Sequence, residues 1–303
     1  MQKCYFCESS RLRTSSSQRS VWYDNKTYRF TRCRDCHGFS LFPKLTDAQL
    51  LSLYSSDYVG DDAYESSNIE KIHNSKFALL GSYLRNLEGV EEKSFLDYGC
   101  GANPISFVYA KEQGLVPSGM ELSKDVREIA MRNTGVEMFS RDEIMTGQKN
   151  FDFVFLGDVL EHLVDPIIEL ESLNGIMSRD SRVIAQGPLQ GSRTFTHLLV
   201  RAFAWLTQSR STSYPPYHVS LASSRSIRSV FAKAGFQVER LVTFEVDWPA
   251  PSYEDVKINF SLRGLMLYFA KQVDKSISRI YKTYGSRYFI VCSKIDSGTV
   301  VVK

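Results

Sequence analysis

The sequence predicts an α/β protein in which a mostly parallel sheet, covered by helices on both faces, follows a small cysteine-bearing module. Two observations support this prediction. From about residue 94 onward, short apolar strand patterns alternate with helical patterns, as in sheets whose strands are joined by crossover helices. Before that point, two Cys-x-x-Cys pairs occupy a short stretch. The chain has 303 residues, 43% hydrophobic and 23% charged, which is an ordinary globular composition.

The N-terminal module, residues 1–44, holds four of the six cysteines, as Cys4-x-x-Cys7 and Cys33-x-x-Cys36. Four thiolates from two such pairs suit one tetrahedral zinc ion. Disulfides are the alternative, but the first residues lack the apolar segment of a secretory signal. We therefore predict a structural zinc ribbon and a cytoplasmic location. A module of this size has too small a core to fold without the metal.

Aromatic-rich runs between the cysteine pairs flank Asp24-Asn25-Lys26 and predict a β-hairpin. Residues 1–44 also carry nine Lys and Arg against three Asp and Glu, so the module is basic. This excess indicates either RNA binding or the solvated surface of a small packed domain. The chain has no apolar run of about 18 residues, so we expect no membrane-spanning segment.

Residues 45–90 read as a helical linker. A helix is expected after Thr46 and a second one over 68–87, because apolar residues recur there at helical spacing. The segment 55–67 between them has no clear periodicity and could fold over a ligand as a lid. Tyr54, Tyr58 and Tyr64 would then line the pocket, or else pack the helix pair.

The main domain, residues 91–303, opens with a strand that ends in Asp97-Tyr-Gly-Cys-Gly101 and leads into a helix. Two glycines there let backbone approach a ligand at a helix N-terminus, although such a pair also serves ordinary turns. A second strand ends in Glu121, 24 residues after Asp97, where a carboxylate can accept both hydroxyls of a ribose. A third buried strand, 151–157, runs into Asp158-Val-Leu-Glu-His162.

These three motifs, in this order, resemble those of class I S-adenosylmethionine-dependent methyltransferases over roughly residues 91–246. The resemblance implies a Rossmann-like fold with a mostly parallel seven-stranded sheet, an antiparallel last strand, and S-adenosylmethionine as cofactor. It implies that the glycine loop holds the amino-acid end of the cofactor, Glu121 the ribose and Asp142 the adenine. The full set of implied cofactor-binding residues is Asp97, Gly99, Gly101, Glu121, Asp142 and Asp158.

Seven strands and five helices follow from the alternating pattern in this domain. The strands are expected near 94–98, 117–121, 136–139, 151–157, 181–187, 236–246 and 287–293. The helices are expected near 104–113, 124–133, 166–177, 192–208 and 224–234. Helical insertions are expected near 192–213 and 255–284.

The segment from Cys33 to Pro43, with the helix that follows, is similar to the zinc-binding N-terminus of a group of bacterial methyltransferases. That group is associated with sugar, polysaccharide and secondary-metabolite pathways. The resemblance therefore implies a small, carbohydrate-related or secondary-metabolite acceptor. Two alternatives stay open: an RNA methyltransferase that grips RNA with the ribbon, and a non-catalytic protein that binds the cofactor or docks a partner.

Methyl transfer by in-line displacement needs an aligned acceptor, and an acceptor that must lose a proton also needs a base. His218 is the first candidate for the base, because similar methyltransferases carry a histidine at this point, and His162 is the second. For each of them a structural role, such as capping a helix or bonding a loop carbonyl, is the alternative.

The insertion at 259–284 is amphipathic and carries five basic residues against one acid, Asp274. Such a helix can rest on an anionic membrane or grip a phosphate-bearing acceptor, for example a nucleotide- or lipid-linked sugar. It can equally cap the sheet or form a dimer face. The sequence does not define the oligomeric state.

Overall fold

Two β-sheets flanked by helices organise the chain in the computed structural model. The structure describes residues 2–14, 20–53, 67–147, 149–189, 194–206, 211–212, 216–246 and 261–295. The strands are β1 Leu12–Thr14, β2 Ser20–Tyr23, β3 Lys26–Cys33, β4 Phe39–Phe42, β5 Ser94–Tyr98, β6 Val116–Met120, β7 Glu137–Phe139, β8 Phe151–Gly157, β9 Met177–Pro188, β10 Ser211–Thr212, β11 Ser220–Leu221, β12 Phe236–Phe244 and β13 Arg287–Lys294. The helices are α1 Asp47–Leu53, α2 Ser67–Arg85, α3 Ile105–Glu112, α4 Lys124–Thr134, α5 Arg141–Thr146, α6 Pro166–Gly175, α7 Phe195–Leu206, α8 Ser224–Lys233 and α9 Leu262–Ile280, with a 3₁₀ turn at Leu160–His162.

The larger sheet has seven strands in the order β12-β13-β9-β8-β5-β6-β7. Strands β5 to β9 pair in parallel, and β13 is antiparallel to both β9 and β12. The central strands are buried on both faces, which is why they read as continuous apolar runs rather than alternating ones. The expected Rossmann-like sheet with an antiparallel last strand is confirmed.

The smaller sheet joins the N-terminal module to the main domain. Its order is β10-β2-β3-β4-β11, with β1 paired to β3. The expected hairpin is present as the antiparallel pair β2–β3, with a turn at Asp24 and Asn25, both at positive φ. Strands β10 and β11 come from residues far along the chain, so the sheet of the module is completed by the main domain. The domain boundaries stay predictions.

The structure differs from the expected elements at a few points. Strand β9 begins at Met177, four residues before its predicted start, and α5 was not predicted at all. The signal for α5 was present, because Ser140 and Glu143 form a capping box at its N-terminus. The expected lid and its three tyrosines lie almost entirely outside the described residues. Both helical insertions are helices, α7 and α9.

Candidate functional site

The glycine loop after β5 is shaped by two left-handed residues. Gly99 has φ +80°, and a Cβ there would lie 2.7 Å from Val159 Cγ2. Gly101 has φ +67°, and a Cβ there would meet no atom within 4 Å. Glycine adopts these angles with no strain from a Cβ atom. The loop therefore presents bare backbone to an open space at the carboxyl edge of the sheet, as a bound cofactor requires.

Glu121 lies beside this loop at the end of β6. Its Oε2 accepts a hydrogen bond from Gly101 N at 3.2 Å, and its Oε1 accepts one from Leu122 N at 2.7 Å. Gly99 N in turn donates to Met120 O at 2.8 Å, which ties the loop to the neighbouring strand. The glycine loop and the carboxylate expected to hold a ribose thus form one continuous surface.

Asp97 is the buried acid of this region. It is 4% exposed and accepts a hydrogen bond from the Ser106 hydroxyl. Burial raises the pKa of Asp97 to about 7, although the Ser106 hydrogen bond opposes the rise. The side chain is therefore buried and bonded to α3 through Ser106, and its role at a cofactor stays a prediction.

Asp142 occupies the first turn of α5, three residues after Phe139 at the end of β7. Its side chain is exposed. Glu121 N donates to Phe139 O at 3.2 Å, so the end of β7 adjoins the Glu121 corner of the site. The role of Asp142 at an adenine stays a prediction.

Asp158 stands at the carboxyl end of β8 with φ +58°. Its carboxylate makes ion pairs with Arg287 at the start of β13 and with Lys76 of α2. Burial opposes ionisation, but these two cations lower the pKa of Asp158 overall. Asp158 therefore serves as the anionic centre of a buried ion-pair network, which fastens α2 and β13 to the edge of the site.

Both histidines expected as bases lie together, next to Glu161. Ligand atoms of Glu161, His162 and His218 all lie within 4.8 Å of one another. The two imidazole rings meet edge to face, with centroids 5.0 Å apart and an interplanar angle of 79°. His218 retains solvent exposure, His162 is half-buried and Glu161 is buried. The sequence offered the histidines as alternatives; the structure brings them into contact.

The hydrogen bonding of His162 defines its tautomer. Its Nδ1 lies 2.8 Å from the carbonyl oxygen of Tyr217. A carbonyl can only accept, so Nδ1 carries the proton and Nε2 is the unprotonated nitrogen of the neutral ring. Desolvation lowers the pKa of His162 and of His218, so both rings are neutral near pH 7. Each can therefore act as a base.

Glu161 is buried beside Gly187 of β9. Burial, together with the nearby Asp158, raises the pKa of Glu161 to about 7. Its Oε2 has no hydrogen-bond partner among the described residues, and neither has the hydroxyl of Tyr288. A Cβ at Gly187 would lie 2.9 Å from that hydroxyl and 3.2 Å from Glu161 Oε2. The bare backbone of Gly187 leaves room for both groups.

The four N-terminal cysteines form a second cluster, with all sulfurs within 4.8 Å of one another. Cys4 Sγ lies 3.5 Å from Cys36 Sγ, and Cys7 Sγ lies 3.6 Å from Cys33 Sγ. All four are free thiols. A tetrahedral zinc with bonds of about 2.3 Å to sulfur needs sulfurs about 3.8 Å apart. The cluster therefore fits a structural zinc ion.

Strand β4 of the zinc module is hydrogen-bonded to the chain segment that carries His218. Leu41 N of β4 donates to Val219 O at 2.9 Å, and Val219 N donates to the backbone oxygen of Glu161 at 2.8 Å. Val219 is buried in a cluster with apolar residues of the module, including Tyr28 and Leu41. His218 thus belongs to a segment held between β4 on one side and the Leu160–His162 turn on the other.

Several residues of the site were not identified from the sequence. Lys76, Tyr217 and Arg287 carried no motif, and only the fold brings them to the site. Glu161 was visible as part of a motif but had no assigned role. Gly187 could have been noted, since an isolated glycine in a strand often marks a close approach.

A family model described as a methyltransferase domain matches residues 73–241. Among curated proteins, the chain is similar to ubiquinone biosynthesis O-methyltransferases. It is 28% identical over 114 residues to that of Hydrogenovibrio crunogenus, covering 35% of this chain and 45% of the relative. It is 24% identical over 131 residues to that of Vibrio campbellii, covering 41% and 55%. The chain thus spans about half the length of the curated relatives it matches.

Among solved structures, the fold is similar to a chain of the complex between the Trm112 methyltransferase activator of Haloferax volcanii and a methyltransferase. The TM-score is 0.54 at 16% identity, with 78% of this chain and 96% of that chain covered. At this identity the likeness extends to the fold alone.

Proposed function

The chain belongs to the methyltransferase domain family, whose fold and S-adenosylmethionine-binding loop it carries, and we propose that it methylates a small acceptor. The acceptor is of the carbohydrate-related or secondary-metabolite class, and the methylated atom is a hydroxyl oxygen. The observation that carries the proposal is the contact between His162 and His218 beside Glu161, at the edge of the sheet that also bears the glycine loop.

The residues of the glycine loop would hold the cofactor. Gly99 and Gly101 would let the backbone approach its amino-acid end, and Glu121, which adjoins Gly101, would accept from the ribose hydroxyls. When bound, S-adenosylmethionine supplies a methyl group activated by the adjacent sulfonium. Asp142 is proposed to contact the adenine, and Asp158 to complete the wall between cofactor and acceptor.

His218 is the proposed general base. Its ring retains solvent exposure, and the buried carboxyl of Glu161 lies beside it. Desolvation lowers the pKa of His218 and so favours the neutral ring, which would take up the proton that an acceptor hydroxyl loses on methylation. His162, held by the carbonyl of Tyr217, packs edge to face against His218 and limits its rotation. Positioning of this kind supplies much of the rate in bimolecular transfer.

Oxygen is favoured over nitrogen or carbon as the acceptor atom by two observations. The named relatives are O-methyltransferases. An alcohol loses its proton only as the new bond forms, so it profits from a neutral imidazole within reach.

The contacts of the zinc module favour a role in packing against the main domain rather than in RNA binding. Three of its basic side chains have partners within the chain: Arg11 with Asp35, Lys44 with Asp165, and Arg32 over the ring of Phe39. No helix in the described part of the chain is both long and apolar enough to cross a bilayer. A cytoplasmic location remains our prediction.

Incubation of the purified chain with labelled S-adenosylmethionine and separate acceptor pools tests the proposal. We expect methyl transfer to nucleotide sugars or small hydroxylated metabolites and none to bulk RNA. Transfer to RNA instead would establish the RNA methyltransferase alternative. Tight binding of S-adenosylhomocysteine without transfer to any pool would favour the non-catalytic alternative.

A further inference from the structure

Helix α9 exposes an apolar stripe on the side that faces away from the protein. Five side chains at helical spacing form it, and each is 40–74% exposed: Leu262, Met266, Phe269, Val273 and Ile280. Residues at these intervals share one face of a helix. A surface helix normally turns such a face inward, so this one has the opposite orientation.

Buried polar contacts on the other face fix that orientation. Lys271 makes an ion pair with Glu245 at 2.5 Å, and the two side chains are 2% and 0% exposed. Asp274 caps α7, accepting from the backbone N–H of Phe195 and of Thr196, each at 2.8 Å. Rotating α9 to hide the apolar stripe would leave these charges unpaired, which is costly. The stripe is therefore held outward.

Helix α7 packs beside α9 and also exposes apolar side chains, and basic residues flank the stripe. Phe195 and Leu198 of α7 are about half exposed. Arg263 and Arg279 on α9 are exposed, as is Lys282 just beyond it. The only acid between residues 261 and 286 is the buried Asp274. The outer surface of the two helices, which we call the α7/α9 surface, is thus apolar in the middle and cationic around it.

We propose that the α7/α9 surface docks onto an anionic lipid bilayer. Amphipathic helices with this composition lie in the membrane interface, with the apolar side chains among the acyl chains and the basic ones near the phosphates. A second copy of this chain is a poorer occupant. A two-fold contact would place the same cations against each other, with no exposed acid on α9 to match them.

The surface borders the candidate active site. Arg287, which pairs with Asp158, follows α9 by seven residues. Strand β12 ends at the carboxyl edge of the sheet, and Thr243 N donates to Lys282 O at 2.7 Å, so the end of α9 lies at that edge. Docking would bring the acceptor side of the site near the membrane. Binding to lipid requires no turnover, so its test is independent of the proposed function.

Sedimentation of the full chain with vesicles tests the proposal. We expect binding to phosphatidylcholine vesicles containing about one-third phosphatidylglycerol, weaker binding at high salt, and little binding to phosphatidylcholine alone. F269S/V273S should weaken binding at least about tenfold, since it removes the centre of the stripe. The matched control is Ile168→Ser in α6, because Ile168 and Phe269 are both 59% exposed.

Charge reversal gives a second variant that leaves the apolar core and the stripe intact. R279E/K282E should also weaken binding at least about tenfold and remove most of its salt dependence, because each basic residue near an anionic membrane favours binding. Absence of wild-type binding to anionic vesicles at low salt would overturn the proposal. So would equal losses in I168S and F269S/V273S, or light scattering that shows F269S/V273S converting a dimer into monomers.

Discussion

The proposed cofactor end and the proposed acceptor end of the site are built in different ways. The cofactor end comes mostly from one continuous stretch, Asp97 to Glu121, that runs strand, loop, helix and strand, with Asp142 and Asp158 contributed by later elements. The acceptor end draws on residues scattered along the chain: Lys76, the segment 158–162, the segment 217–219 and Arg287. It also depends on β4 of the zinc module. Substitutions in the cofactor end should therefore affect mainly cofactor binding. The acceptor end should also respond to substitutions far from it, such as those in the zinc module.

The largest effect is expected for Gly101→Arg. The side chain would enter the open space before the loop, and binding of S-adenosylhomocysteine should become too weak to measure by calorimetry, because the cofactor and the arginine compete for the same volume.

Gly135→Arg is the matched control. Gly135 has φ +65° and, like Gly101, has no atom within 4 Å of its Cβ position, but it caps the C-terminus of α4. The backbone strain is similar in both variants. Unchanged binding by G135R together with lost binding by G101R would therefore show that the loss comes from filling the space that the cofactor occupies. Normal affinity in G101R would remove the cofactor assignment.

Replacing His218 with Gln should lower turnover without changing cofactor binding, which distinguishes the two ends of the site. We expect kcat to fall by about 10²–10⁴-fold, the usual contribution of a general base, while affinity for S-adenosylhomocysteine changes little. His162→Gln should give a smaller loss, because its role is to orient His218. His197→Gln in α7, outside the cluster, is the control. Wild-type turnover in H218Q would leave His218 with a structural role only.

Loss of zinc should act on the acceptor end at a distance. In Cys36→Ser we expect less than stoichiometric zinc and a fall in kcat of up to about 10²-fold, because β4 no longer holds Val219 and the adjacent His218 in place. Cofactor affinity should stay near wild type. Metal analysis, circular dichroism and calorimetry on the same sample check all three points.

A joint fall of donor affinity and turnover in C36S, with an intact main domain by circular dichroism, would contradict the independence of the two ends. Shifts of the imidazole resonances of His218 and His162 on zinc removal would support it, since a purely remote structural role would leave them in place.

A further effect concerns Asp97 and the stability of the fold, not binding or turnover. The pKa of Asp97 rises from 3.8 to about 7 on folding, so between these values the folded chain holds a proton that the unfolded chain has released. The free energy of unfolding without cofactor should therefore fall as the pH rises from 4 to 7, by at most about 4 kcal/mol for this group.

Asp97→Asn should remove that part of the pH dependence, as measured by denaturant titration at several pH values. Glu161→Gln should remove a further share, because burial raises its pKa to about 7 as well. An identical slope in wild type and D97N would show that Asp97 is ionised throughout this range.

Much of the fold was predictable because its signals are local. Strand β8, Phe151–Gly157, matches its predicted bounds, since an apolar run flanked by polar residues leaves few alternatives. Helix α5 was missed because it is six residues long and has only one buried side chain, Ile144, so it shows no periodicity. The pairing of β4 with β11 was beyond sequence reasoning, because two-residue strands carry no pattern.

The family, the glycine loop with Glu121, and the four cysteines were readable from the residues alone, because each motif has a short, characteristic pattern of residue types along the chain. The contact of His162 with His218, the pairing of Asp158 with Lys76 and Arg287, and the outward face of the α9 stripe became visible only in the folded chain. These contacts join segments that the chain itself does not hold near each other, and packing of the whole sheet and its helices brings them into register.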